Sequence, residues 1–224
     1  MTIAPMTAYE RHMTAAAHAL LPALPHDVVM TPTPKGHSRR AALFTSLNRT
    51  EYQRRSTATG DTCPPPIDNP GHLDLLLSLP EGIPVATSAL TARQRALLRT
   101  LPPTAANLTR TDGQVTHVTR TAIRPATVHL ALVTGPVSET NLGIAGSFAP
   151  FCARAILVPK RPRSVETLIE ADFWGVGIAV EEDSTVEVLV PPHPWKRMRH
   201  TPAGWRFEEQ AAAIAVIEEL QNAG

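Results

Sequence analysis

"FCARAILVPKRPRSVETLIEADFWGVGIAVEEDSTVEVLVPP" (Phe151–Pro192) changes its hydrophobic period several times. Ala153–Val158 is a short, nearly continuous apolar run, the pattern of a strand covered on both faces. Lys160, Arg161 and Arg163 make a basic turn, and Ser164 can cap a helix that continues through Phe173. Gly175–Val180 reads as a second strand, and the turn Glu181–Ser184 leads to a third at Val186–Val190. Just upstream, Thr127–Thr134 (TVHLALVT) is another buried strand, ended by Gly135-Pro136 and followed by a helix over Glu139–Phe151. Strand, helix, strand, helix, strand in succession demands crossover connections. The expected fold is therefore α/β, with a mixed, partly parallel central sheet flanked by helices.

Toward the N-terminus, the spacing of Tyr9, Met13, Ala16, Ala17, Leu20 and Leu21 predicts a helix over Thr7–Leu24. His26–Thr31 reads as a short strand. Residues 33–70 run polar and basic and read as irregular, with a short helix inside "RRAALFTSLNRTEYQRR". His72–Leu79 (HLDLLLSL) reads as a strand that turns at Pro80-Glu81-Gly82 into Ile83–Ala89. Thr91 can cap a helix through Leu101, and Asp112-Gly113 turns a hairpin between Ala106–Arg110 and Gln114–Thr121. A Pro-rich basic strap, Pro191–Gly204, precedes a terminal helix over Phe207–Gln221. The expected organisation is an N-terminal helix and basic irregular segment (1–70), an α/β core (71–192), and a Trp-containing strap with a C-terminal helix (193–224). All three belong to one compact domain in this reading.

The 224 residues suffice for a packed core, but aromatics are only 4%, so Ala, Val, Leu and Ile must fill it. The net charge of +1 conceals a division: residues 1–163 carry 17 Lys and Arg against 9 Asp and Glu, while 164–224 carry 4 against 11. That asymmetry suggests a surface for polyanions such as DNA or RNA, and a separate acidic surface. Two solvated faces that attract each other within the fold would look the same. Cys63 and Cys152 are the only cysteines, too few for a disulfide framework, and no Cys/His spacing suits structural zinc. No run of 18 apolar residues and no signal-like N-terminus occurs, so the expectation is a cytoplasmic protein that meets no membrane.

The pattern "FAPFCARAILVP", a short helix, "WGVGIAV" and "VEVLVPP" resembles the C-terminal half of restriction-endonuclease-like nucleases, of the PD-(D/E)XK superfamily. The segment "HLDLLLSLPEGIPVATSA" is similar to that superfamily's catalytic hairpin, with Asp74 at its first acidic position. The resemblance implies a restriction-endonuclease-like core with N-terminal elaborations, and a role on nucleic acid in a defence, mobile-element or processing system. Its chemistry requires a second carboxylate and a Lys two positions apart on the next strand, holding Mg²⁺ and activating water. Val85–Leu90 supplies neither, and His129–Thr134 fails likewise. Two readings follow. In one, the core has a degenerate active site and keeps only nucleic-acid binding. In the other, Asp74 works with Glu81, Asp68 or Glu139 in a non-standard Mg²⁺ site.

Several groups are candidates for nucleic-acid contact. Arg93, Arg95 and Arg99 lie on the polar side of the helix capped by Thr91, and Lys160, Arg161 and Arg163 form the basic turn. Trp195, Lys196, Arg197 and Arg199 interleave an aromatic ring with cations, a composition suited to phosphate contact and base stacking. A strap whose two Trp residues dock on the core has the same composition. "ALVTGPVSETNLG" offers a strand-to-helix turn with Ser138 as cap but lacks the phosphate-loop spacing. His193 and His200 have no acidic neighbours and are not expected to hold metal. A rival from another class is a non-enzymatic interaction module that engages a basic protein partner through Glu208, Glu209, Glu218 and Glu219.

Overall fold

Where apolar runs are continuous and where they alternate decides how each element is buried in the computed structural model of the protein, which describes residues 7–182 and 185–222. In chain order the elements are helix α1 (Ala8–Leu20), strands β1 (Val29–Pro32) and β2 (Ala41–Leu47), and helices α2 (Arg49–Thr59) and α3 (Pro70–Ser78). Strand β3 (Pro84–Ala86), a single 3-10 turn, helix α4 (Ala92–Leu97) and strands β4 (Ala106–Thr111) and β5 (Gln114–Arg120) follow. The chain continues as β6 (Ala126–Thr134), α5 (Glu139–Gly146), β7 (Ala153–Val158), α6 (Val165–Phe173), β8 (Gly177–Glu182), β9 (Thr185–Val190) and α7 (Pro202–Asn222). These form two compact units: the described residues of 1–47, 127–198 and 214–224 make the first, and 48–126 with 199–213 make the second.

The first unit is built on a six-stranded sheet in the order β1-β2-β6-β7-β8-β9. β6, β7 and β8 run parallel, with Leu132 beside Ala155 and Ile156 beside Ile178, while β9 returns antiparallel on β8. The fold is α/β, with a mixed, partly parallel sheet flanked by helices. Alternation along the strands gives each face its own core. Leu130, Leu132, Ala155 and Leu157 face Met13, Ala16, Ala17 and Leu20 of α1. The intervening Ala131, Val133, Ile156 and Val180 are equally buried on the opposite side. With few aromatics available, alanines let α1 approach the strands closely, and burying Met13 and Leu20 contributes about 1.5–3 kcal/mol each. Gly177 makes a similar approach possible, since a Cβ there would lie 2.8 Å from the Pro192 ring and 2.9 Å from its backbone nitrogen.

The second unit contains a three-stranded antiparallel sheet in the order β3-β5-β4. Val118 at its centre is fully buried with Leu75, Leu79, Leu90 and Leu98. A second cluster gathers Ile67, Leu73, Leu76, Ala105 and Ala122 around Trp205. Arg120 on β5 donates to the carbonyls of Leu76 (3.2 Å) and Leu79 (3.4 Å), satisfying the C-terminal end of α3.

Three expectations need correction. His72–Leu79 is not a strand: Asn69 caps a helix with Pro70 in its first turn, and this is α3. Ile83–Ala89 therefore has no hairpin partner there, and only Pro84–Ala86 is extended, paired with β5. Ala41–Leu47 is not irregular or helical but strand β2, buried almost throughout because it lies inside the sheet between β1 and β6. Helix α5 is shorter than expected and α7 longer, starting at Pro202. The residues of the β8–β9 turn at Asp183–Ser184 lie outside the described residues. Among those described, no helix is long and apolar enough to cross a membrane.

Candidate nucleic-acid interface

Helix α4 is short and depends on its cap. Thr91 accepts from the Gln94 backbone N–H (3.2 Å), and the Gln94 side chain accepts from Thr91 N–H (2.9 Å), a reciprocal capping box. Leu98, just past the helix, is buried, whereas Arg93, Arg95 and Arg99 are exposed. Arg95 is held in place by its guanidinium, which donates to the Leu90 carbonyl at 2.6 Å. The β4–β5 ribbon turns through Asp112 (φ 51°) and Gly113 (φ 78°), the left-handed pair that a tight hairpin requires. Arg110 stands beside this turn and donates to Gly113 O at 3.4 Å.

Together these elements border an open groove of about 950 Å³. Arg95, Arg99 and Arg110 supply charge, Thr87, Asn107 and Gln114 supply uncharged hydrogen-bonding groups, and Leu98, Leu101, Leu108 and Val115 form its apolar part. No carboxylate lines it. A concave wall with guanidinium groups and no competing anion suits phosphate, because the planar fork can donate two parallel hydrogen bonds to its oxygens. The sequence marks Arg110 only as one cation of the basic stretch 1–163, and Asn107 and Gln114 not at all. Their signal was the Asp112-Gly113 turn, which sets them on facing strands.

No family model matches the chain, and no curated protein or solved structure matches it. The site's chemistry therefore rests on its own geometry.

The other basic candidates belong to the first unit, apart from Arg199, which is exposed where the chain re-enters the second. Lys160 and Arg163 are exposed before α6, and Arg161 pairs with Glu187. Trp195 is half-buried against the α1 side of the sheet and donates its indole N–H to Ala149 O at 3.1 Å. Arg197 lies over its ring, 5.6 Å from the centroid, and Lys196 is exposed. Trp205 is fully buried, with Arg120 and Arg124 over its ring.

The acidic candidates are dispersed. Asp74 is exposed on the side of α3 away from Leu73, Leu75 and Leu76. Glu81 is mostly exposed, 3.9 Å from Arg120. Asp68 accepts from Arg206 (2.6 Å) and Gln210 (2.8 Å), and the Arg206 hydrogen bond holds its carboxyl below the usual range. Glu139 sits in the first turn of α5, in the other unit. Among the described residues no three His, Cys, Asp or Glu side chains converge as metal ligands. Cys152 is buried, which pushes its thiol pKa upward. In the 135–141 turn Ser138 caps α5, and Asn141 donates to Pro136 O at 2.7 Å.

A smaller cleft of about 340 Å³ lies at the C-terminal ends of β6 and β7, bordered by Tyr9, Met13, Thr134 and Leu157. Beside it His12 and Glu181 meet at 2.5 Å.

One electrostatic feature escaped the reading of the sequence. Glu51 and Arg55 on α2 meet Glu209 on α7 in a buried network: Arg55 donates to Glu51 at 2.6 Å and to Glu209 at 2.7 and 2.9 Å. Trp205 Nε1–H (2.9 Å) and the Ile67 N–H (3.1 Å) also donate to Glu209. Burial alone would lower the Arg55 pKa, but the hydrogen bonds and charges of Glu209 and Glu51 hold it above its ordinary value. Glu208 is likewise buried and paired with Arg124. Glu208 and Glu209 therefore do not belong to an exposed acidic face on the terminal helix, which corrects that expectation and leaves only Glu218 and Glu219 for it. Such closed pairing is structural, since every charge already has a partner.

Proposed function

We propose that this protein binds nucleic acid through the second unit, with the α4 and β4–β5 groove gripping the phosphate backbone. The observation that carries the reading is the convergence of Arg95, Arg99 and Arg110 on one groove without a carboxylate. A helix and a two-stranded ribbon are also the two element types that a DNA major groove admits. Arg93 stands on the same short helix and extends the basic surface.

The first unit carries a strand–helix–strand–helix–strand order over β6–β8, which supports the resemblance to a restriction-endonuclease-like core. In this reading that core does not cleave. Strands β2, β6 and β7 contain no Asp or Glu, and Asp74 stands on a helix rather than beside a second acid on a sheet. Binding without metal chemistry is the consequence.

Fluorescence anisotropy with labelled duplex DNA, single-stranded DNA and RNA, begun at ~50 mM salt, tests the reading. Binding should weaken steeply with salt, and Arg99→Ala or Arg110→Ala should each lower the log–log salt slope by about 1. The Arg99→Glu/Arg110→Glu variant should lose binding while keeping its fold. Absence of binding to all three probes, or binding indifferent to that double variant, overturns it.

A further inference from the structure

Helix α6 buries one side and leaves another apolar side uncovered. Ala171 is fully buried, and Thr167 and Leu168 are half-buried against the sheet. Val165, Ile169 and Phe173, at i, i+4 and i+8, are 68%, 63% and 78% exposed, and Trp174 continues the row at 57%. The Phe173 and Trp174 rings meet edge to face, 5.5 Å apart, so the end of the stripe is a preformed aromatic pair. Single exposed apolar side chains are ordinary, but a contiguous stripe at helical spacing marks a surface that another molecule covers.

Charge around the stripe indicates which molecule. Exposed Lys160 and Arg163 precede the helix, exposed Glu166 lies in its first turn, and exposed Glu170 and Asp172 lie in its last. The net charge is thus positive around the N-terminal end of the stripe, with two cations to one carboxylate, and negative around its last turn, with Glu170 and Asp172. Such a surface is complementary to itself when two copies lie antiparallel, because each basic end then meets the partner's acidic end. A parallel arrangement would set like charges together. Antiparallel self-pairing is the relation a two-fold axis perpendicular to the helix imposes.

We propose that α6 is the two-fold interface of a homodimer, packed antiparallel against α6 of a second copy. Val165, Ile169 and Phe173 form its apolar centre, and the charges at either end set its direction. Phe173 and Trp174 each bring an area on the order of 150–250 Å² when buried, so they dominate the contact.

Sedimentation velocity of the full chain tests this. The wild type should sediment as a dimer at ~100 µM. Phe173→Glu should weaken the dimer roughly 30-fold or more, the scale expected of a buried aromatic anchor. Ile169→Lys provides the same reading should the first variant fail to fold, and circular dichroism checks both. Lys160→Glu/Arg163→Glu and Glu170→Lys/Asp172→Lys should each weaken self-association, and combining all four changes in one chain should restore it. A folded wild type that stays monomeric at that concentration overturns the proposal, as does a dimer indifferent to both apolar variants. Wild-type monomer that instead binds an unrelated polypeptide through α6 also overturns it.

Discussion

At the scale of single residues, the protein separates charges buried in closed pairs from charges exposed to solvent. Glu209 has four donors around it and virtually no solvent, so Glu209→Gln should destabilise by about 3–5 kcal/mol in urea denaturation, because it leaves Arg55 buried beside one carboxylate. The exposed Asp68–Arg206 pair is the contrast: Arg206→Ala should change stability by less than about 1 kcal/mol. Asp74→Asn belongs to the same quiet class, within about 0.5 kcal/mol, and should leave nucleic-acid affinity unchanged with or without Mg²⁺. Metal-dependent cleavage lost in that variant would show that Asp74 serves a catalytic site after all. Gly177→Ala should cost about 1–3 kcal/mol, since the added carbon meets the backbone and ring of Pro192 rather than a flexible side-chain tip.

At the scale of elements, the hairpin turn ties stability to the proposed binding groove. Gly113 lies at φ 78°, so Gly113→Val should strain the β4–β5 turn, displace Arg110 and weaken nucleic-acid binding more than it lowers the melting temperature of the whole chain. Anisotropy and thermal unfolding of the same sample compare the two effects. That turn was legible in the sequence, as were the strands and helices from 127 to 190 and the caps at Thr91, Ser138 and Ser164, because each rests on local chemistry. The region from 41 to 79 was not. In "HLDLLLSL" leucines crowd five of eight positions, so helical and extended periods fit equally well, and Asn69-Pro70 was the deciding signal. "AALFTSL" lies inside the sheet and shows no alternation to mark a strand. The α2 helix is polar all round, and its anchor, Arg55, finds Glu209 across 154 positions of sequence, a pairing that no local pattern encodes. The same gap hid the groove: Arg95 and Arg99 were visible as cations, but their convergence with Arg110 depends on how the ribbon folds back.

At the scale of the whole molecule, acid should weaken the fold through both units. Burial lowers the pKa of His37 and His129 in the first unit and of His72 in the second, from an ordinary 6.5, with Asp27 partly opposing the shift at His129. The unfolded chain then takes up protons below that value that the native chain refuses. This contribution is fully present above it and is lost as pH falls toward the lowered native values. Thermal unfolding between about pH 7 and pH 5 should show a falling midpoint, with a flatter dependence in His72→Gln/His129→Gln. The division of the chain has a further consequence, for the order of events during synthesis. The second unit needs residues 199–213, which leave the ribosome only after the whole of 127–198. At about 5–20 residues per second, residues 48–126 wait on the order of 4–17 s for Trp205 and Glu209 to arrive. Meanwhile Ile67, Leu73 and Leu76 lack the indole that covers them, and Arg55 has Glu51 as its one carboxylate partner. A nascent chain halted before Arg199 should therefore hold a half-built second unit, open to proteases and chaperones, until its last helix is delivered.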